Sequence, residues 1–140
     1  MTPPEPQSAP AAEARTPVPR ANPWLCALLA WLIPGAGHLV LRRWGRGGIF
    51  LALILTSLVV GVALEGKLWH VIPGQPLSYL GTLTCAGLGI PFLVLRFVLD
   101  YQGNLHAQGY EYGAAFILTA GLMNLLVILD AWDIARGLKE

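Results

Sequence analysis

The sequence predicts an all-α integral membrane protein, a bundle of four transmembrane helices whose first member is broken at Pro34-Gly35. Three observations lead there. Apolar residues make up 55% of the 140-residue chain and charged residues only 12%, about half the charged share of a soluble domain, so lipid must solvate most of the surface. The apolar residues collect into four runs, each approaching the roughly 20 residues that cross a hydrocarbon core. Aromatic rings mark the ends of these runs: Trp24, Trp44, Trp69, Tyr79, Tyr101, Tyr110, Tyr112 and Trp132. Amphipathic rings settle at that depth of a bilayer. Trp31 alone lies deep within a run.

Residues 1–23 are rich in proline and alanine, opening Met1-Thr2-Pro3-Pro4-Glu5-Pro6. Such a segment cannot bury enough apolar surface to fold, so it reads as a disordered, partly polyproline-like tail. It lacks the charged cap and apolar core of a cleaved signal, which leaves the first apolar run as an uncleaved insertion signal. The membrane domain is then 24–140.

The first run spans 24–41 and holds Leu32-Ile33-Pro34-Gly35-Ala36-Gly37-His38. Pro34 stops a helix, and the glycines permit positive φ or close backbone approach. Four crossings put both termini on one side of the membrane; a re-entrant first segment is the alternative that the Pro-Gly break allows. The turn Arg42-Arg43-Trp44-Gly45-Arg46 follows, with the densest positive charge in the chain. That density predicts a cytoplasmic turn and, with four crossings, termini on the opposite side.

The second run, 47–64, carries no charge. A turn at Pro73-Gly74-Gln75-Pro76 separates it from the third, 77–99. Pro91 is expected to kink this third run and to free a carbonyl near Gly87. Gly81, Cys85 and Gly89 lie four residues apart on one stripe, and Ser57 with Gly61 forms a weaker stripe on the second run. Small residues at that spacing admit a close neighbour, read here as packing within one molecule. The fourth run spans 113–134. Leu-Val-Leu-Arg occurs at 39–42 and at 93–96, each time after an Ile-Pro. The Pro-to-Arg distance differs, so the repeat reads as coincidence, with a duplicated hairpin as the alternative.

Two groups of polar residues are the candidate functional sites. The first is the motif Pro34, Gly35, Gly37, His38, Arg42, Arg43, Gly45 and Arg46. The imidazole of His38 can reach backbone carbonyls or a neighbouring helix; it is expected to hydrogen-bond across its turn, with a ligand or proton-relay role as the alternative. The arginines snorkel to phosphates or pair with acids. The second group is Arg96, Asp100, Asn124, Asp130 and Asp133. Arg96 and Asp100 stand at i, i+4 and Asp130 and Asp133 at i, i+3, while Asn124 falls within the bilayer. Asp130 or Asp133 is expected to pair with Arg96 or with an arginine of the first turn, because an unpartnered acid near lipid is costly. An acid/base pair or a cation site is the alternative use of the two acids.

No catalytic pattern is present. Ser8, Ser57 and Ser78 lie outside any nucleophile elbow, and no phosphate loop or H-E-x-x-H occurs. His70 and His106 sit in separate loops, and Cys26 and Cys85 are isolated in apolar runs. Neither a metal nor another cofactor is expected. A net charge of +1 gives no reason to expect nucleic acid.

The residues Pro34-Gly35-Ala36-Gly37-His38, Leu41-Arg42-Arg43 and Gly45-Arg46-Gly47-Gly48 resemble a motif, roughly P-G-x-G-H-x-Y-x-G-x-x-x-x-G, of small bacterial membrane proteins of unknown function. They are distantly similar to the two-helix TM-two domain, and Asn124 through Asp133 resembles the close of such bacterial proteins. Val40 stands where tyrosine is usual and Arg42 where glycine is usual. The resemblance implies a membrane location and a helical hairpin unit, and no reaction; the bacterial inner membrane is the expected location. The chain is therefore expected to be non-enzymatic, an interaction, scaffold or accessory subunit. Its partners would be the lipid bilayer and another membrane protein or a second copy. The alternative is a small transporter or ion-conducting oligomer using intramembrane His, Asp and Arg groups.

Overall fold

The computed structural model describes residues 22–138, and every regular element among them is helical. The proline-rich tail, up to residue 21, lies outside the described residues. Six helices follow in order: α1 (Pro23–Leu32), α2 (Ala36–Val40), α3 (Trp44–Ala63), α4 (Pro76–Ala86), α5 (Ile90–Leu93) and α6 (Tyr110–Ala135). A π-helical turn, Val94–Val98, extends α5.

Two helices are long and apolar enough to cross a membrane, α3 with 20 residues and α6 with 26. The expectation of four crossings is revised here. The first run yields only α1, whose 10 residues rise about 15 Å, half a hydrocarbon core. The third run yields α4 and the α5 arm, whose axes lie 117° apart. It makes a third crossing only if that bent pair counts as one. Hydropathy sums apolar residues without regard to chain direction, and the chain turns back inside both runs.

The turns follow from local sequence. Asn22 caps α1 by accepting the Trp24 N–H at 3.1 Å, and Pro23 occupies the first helical position, where its missing N–H costs nothing. Pro34 has no N–H to continue the helix, and Gly35 adopts φ 80°. The short α2 then folds back on α1 and lays Gly37 against the Cys26 carbonyl and Ala30. The second break repeats the device. α4 ends at Ala86, Gly89 adopts φ 66°, and Pro91 sits in the first turn of α5.

The direction of each hairpin is fixed by its neighbours on α6. Trp24, opening α1, packs edge-on against Trp132 near the end of α6, with ring centroids 4.6 Å apart. Ala30, near the tip, lies beside Asn124 in the middle of α6. The chain then returns through α2 to the arginine turn that starts α3. The α1–α2 pair is thus a hairpin, with both ends at the arginine end of the molecule.

The second hairpin enters from the other end. There Gly66 lies against Gly113 of α6, and Trp69 packs on Gly81 of α4. α4 descends past Gly121, which meets Thr84, to reach Leu125, which meets Gly87. The α5 arm climbs back beside the second half of α3, where Val94 and Leu95 share a groove with Val62 and Ala63. It arrives at Tyr101, whose hydroxyl donates to the Gly66 carbonyl at 2.9 Å. Burial, and then the nearby charge of Glu65, push this phenol's pKa up, which keeps it a donor.

The most extensive helix contact is between α3 and α6. Ser57 donates to the Phe116 carbonyl at 2.9 Å, and Gly61 seats against Ile117 and Gly113. The weaker small-residue stripe therefore makes the main interface. The Gly81–Cys85–Gly89 stripe receives Trp69 and the backbone of Trp31 rather than a long helix. Ile54, Leu58, Leu88, Ile117 and Val127 fill the core, while Leu53, Val59, Phe97 and Leu126 face outward. An apolar exterior of this extent suits a lipid environment.

Candidate functional site

The two hairpin tips meet beside Asn124, and three side-chain hydrogen bonds tie the meeting point. A helix that stops leaves its last carbonyls without intrahelical donors. Asn124, fully buried, donates its amide to both breaks: to Gly87 O at 2.7 Å and to Ala30 O at 3.3 Å. The carbonyl that Pro91 was expected to free near Gly87 is thus present, and the intramembrane asparagine satisfies it. Trp31 Nε1 donates to Ala86 O at 2.9 Å, joining the first hairpin directly to the second. Asn124 Oδ1 is buried with no hydrogen-bond partner among the described residues.

Asn124 stands 11 residues before Ala135 and 14 after Tyr110, about 16 and 21 Å from the two ends of α6. The junction therefore sits at the middle of the longest helix. Close contact is needed there. A Cβ at Gly89 would overlap the Trp31 carbonyl, and one at Gly35 would come within 2.6 Å of the Gly47 carbonyl on α3. Gly45 and Gly48 border open space, so only Gly47 of the three turn glycines packs closely.

A second polar contact lies nearer the arginine end. His38, on α2, is fully buried, and its Nε2 lies 3.0 Å from Asp130 Oδ2 on α6. The Phe50 ring stands edge-on to the imidazole at 5.4 Å. Nδ1 of His38 is buried with no hydrogen-bond partner among the described residues. Asp130 makes further interactions, as does Asp133. The two aspartates line one cavity of about 540 Å³ with Phe50, Met123, Leu126, Val127 and Leu129.

The structure divides the residues singled out from sequence. His38 and Asp130 come together, so the bond of His38 runs to a neighbouring helix rather than across its own turn. The expected Arg96–Asp130 pair does not. Arg96 lies on the α5 arm, beside the second half of α3, whereas Asp130 shares its cavity with Phe50 near the start of α3. Arg96 and Asp100 also fail to pair among the described residues, because the helical turn ends at Val98 and Asp100 lies beyond it with φ 43°. Pro34, Gly35 and Gly37 build the first tip, and Arg42 and Arg46 stay exposed on the turn. Sequence reasoning did not assign Trp31, Ala86 or Gly89 to a site. The only signal was that Trp31 lay deep in an apolar run, where an indole N–H requires a partner.

A double-mutant cycle on His38→Leu and Asp130→Asn measures this half-buried pair by unfolding in detergent. A coupling of about 1–3 kcal/mol is expected. Asp130→Asn alone should cost more than the coupling, because Asp130 has other interactions. Coupling near zero would remove the pair from the account.

A family model matches residues 25–140. The chain belongs to a family of unknown function (DUF6677). The match covers the second hairpin, all but the first two residues of α1 in the first, both long helices and every residue of the junction. No curated protein and no solved structure matches the chain. Among the described residues no group of three or more His, Cys, Asp or Glu side chains is placed to hold a metal ion.

Proposed function

We propose that this member of the family is a non-enzymatic membrane protein that moves a small solute or ion across the bilayer, the transport alternative raised by the sequence. One observation carries this reading. Two interrupted helices enter from opposite ends and meet at a buried asparagine halfway along α6. Non-helical backbone at membrane depth is sustained only where protein buries it or an aqueous path runs beside it. Short, Gly/Pro-interrupted segments at corresponding places in the two halves of a chain mark the substrate region of many transporters. The two Ile-Pro sequences fall at these two breaks, which gives the duplicated-hairpin alternative structural support.

The scaffold reading is second. It is supported by the inward use of the polar side chains: Trp31, His38 and Asn124 all bond within the chain. Orientation follows from charge. Arg42, Arg43, Arg46 and Arg136 stand at one end, and Lys67 and Arg96 at the other. The positive-inside rule puts the first end in the cytoplasm, and the bacterial inner membrane is the membrane this fits. The start of α1 and the end of α6 share that end with the arginine turn, so they are cytoplasmic too. The surroundings are the lipid bilayer and, in an oligomer, a second copy of the chain.

The test is solute flux in vesicles reconstituted with the full chain. Light scattering after an osmotic step, with neutral polyols and simple salts as solutes, should show faster volume recovery than protein-free vesicles for at least one solute class. Recovery identical to protein-free vesicles for every solute would turn the assignment toward the scaffold.

A further inference from the structure

We infer that the hairpin junction binds a small monovalent inorganic cation, which reaches it through the acidic cavity at the arginine end. The inference rests on the transport reading and names its substrate class. Four observations converge on it.

The first is the carbonyl ends of α1 and α4. Both helices point their C-terminal ends at the junction, and the C-terminus is the negative end of a helix dipole. Backbone oxygens of broken helices hold alkali cations in this way, while an anion placed there would be repelled. The second is Asn124. Its Nδ2 already holds the Gly87 and Ala30 carbonyls, and its Oδ1 is an acceptor oxygen, fully buried, with no partner among the described residues. A buried acceptor left unmatched is costly, and a cation carrying part of its hydration shell would meet that need.

The third is the charge of the donor set. The junction oxygens are backbone carbonyls and a side-chain amide, all neutral. Divalent cations are held by carboxylates, whereas neutral oxygens suit a monovalent ion that must also leave. The fourth is the approach. The cavity of about 540 Å³ carries Asp130 and Asp133, and its walls include Met123 and Val127, one and three residues from Asn124 on the same helix. Carboxylates in a low-dielectric cleft raise the local concentration of cations and turn anions away. His38, bonded to Asp130, fixes that carboxylate on the cavity wall.

The test uses the full chain in two settings. In detergent, thermal unfolding is compared in sodium, potassium and lithium chloride against choline chloride at equal concentration. At least one alkali cation is expected to raise the midpoint by a few degrees, because a ligand that binds only the folded state stabilises it. In vesicles, uptake of radioactive sodium and rubidium should exceed that of protein-free vesicles. Asp133→Asn should lower that uptake several-fold while leaving the midpoint shift, since Asp133 lines the approach and not the junction. Asn124→Leu should abolish both. That variant is itself expected to weaken the fold, so the wild-type comparison and Asp133→Asn carry the decision.

Equal midpoints in alkali and choline salts, with no cation uptake but with passage of a neutral polyol or of chloride, would overturn the cation assignment and leave the transport reading standing. No passage of any solute would overturn both.

Discussion

Replacing Gly89 with alanine is expected to remove at least about 3 kcal/mol of stability, enough to prevent recovery of a folded protein. Two costs add at this residue. Its backbone adopts φ 66° and ψ −125°, a conformation that side chains other than glycine avoid. A Cβ there would also overlap the Trp31 carbonyl, with Leu32 O only 3.1 Å away. The second obstacle is backbone of the opposite hairpin, which cannot rotate aside as a side chain would. Gly74→Ala is the matched control. Gly74 adopts φ 88° but has nothing within 4 Å of the added carbon, so it should lose only about 1–2 kcal/mol from backbone strain. Unfolding of both variants in mild detergent reads the difference. Equal losses would mean that the two tips are not in contact.

The second large effect is expected at Asn124. Side-chain hydrogen bonds within membrane proteins contribute about 0.6 kcal/mol on average, because a broken bond usually finds another partner. Asn124→Leu should exceed that average several-fold, at about 2–4 kcal/mol. It leaves Gly87 O and Ala30 O without this donor at a depth where water is scarce, and each unsatisfied carbonyl costs about 1–3 kcal/mol. The exposed Asn104, which donates to the Glu65 carboxylate, supplies the contrast. Asn104→Ala should change stability by less than about 1 kcal/mol. A loss at Asn124 no larger than that at Asn104 would show that the junction carbonyls find other donors.

The all-helical fold class was legible because lipid compatibility and helix breaking are local properties. Composition, run length and the aromatic ends pointed to membrane helices. Pro34-Gly35 and Pro91 marked the two breaks, and the free carbonyl near Gly87 was placed correctly. The sense of the turn after each break was not legible. Gly35 and Gly89 permit positive φ, but only the packing of α2 on α1, and of the α5 arm beside α3, makes the chain reverse. That difference turned an expectation of four crossings into two long helices and two hairpins, and moved the arginine turn to the same end as the start of α1. His38 and Asp130 were both singled out, yet their pairing was missed. They are 92 residues apart, and the expectation gave Asp130 an arginine because opposite charges attract wherever they can meet. Arg96 and Asp130 cannot meet across the molecule. Asn124 was noticed as a polar residue within the membrane, but its use needed the two freed carbonyls to arrive from different helices.

Sidedness tests the central claim that two hairpins enter from opposite ends and meet in the middle. Single cysteines at Asn22, Gly45, Gln75, Gln102 and Leu138, in a full-length chain with Cys26 and Cys85 replaced by alanine, can be labelled with a membrane-impermeant thiol reagent. Cells and inverted vesicles present the two faces in turn. Positions 22, 45 and 138 should label from one face, and positions 75 and 102 only from the other. Labelling of 22 and 45 from opposite faces, or of 75 and 102 from opposite faces, would make that segment a crossing and contradict the account.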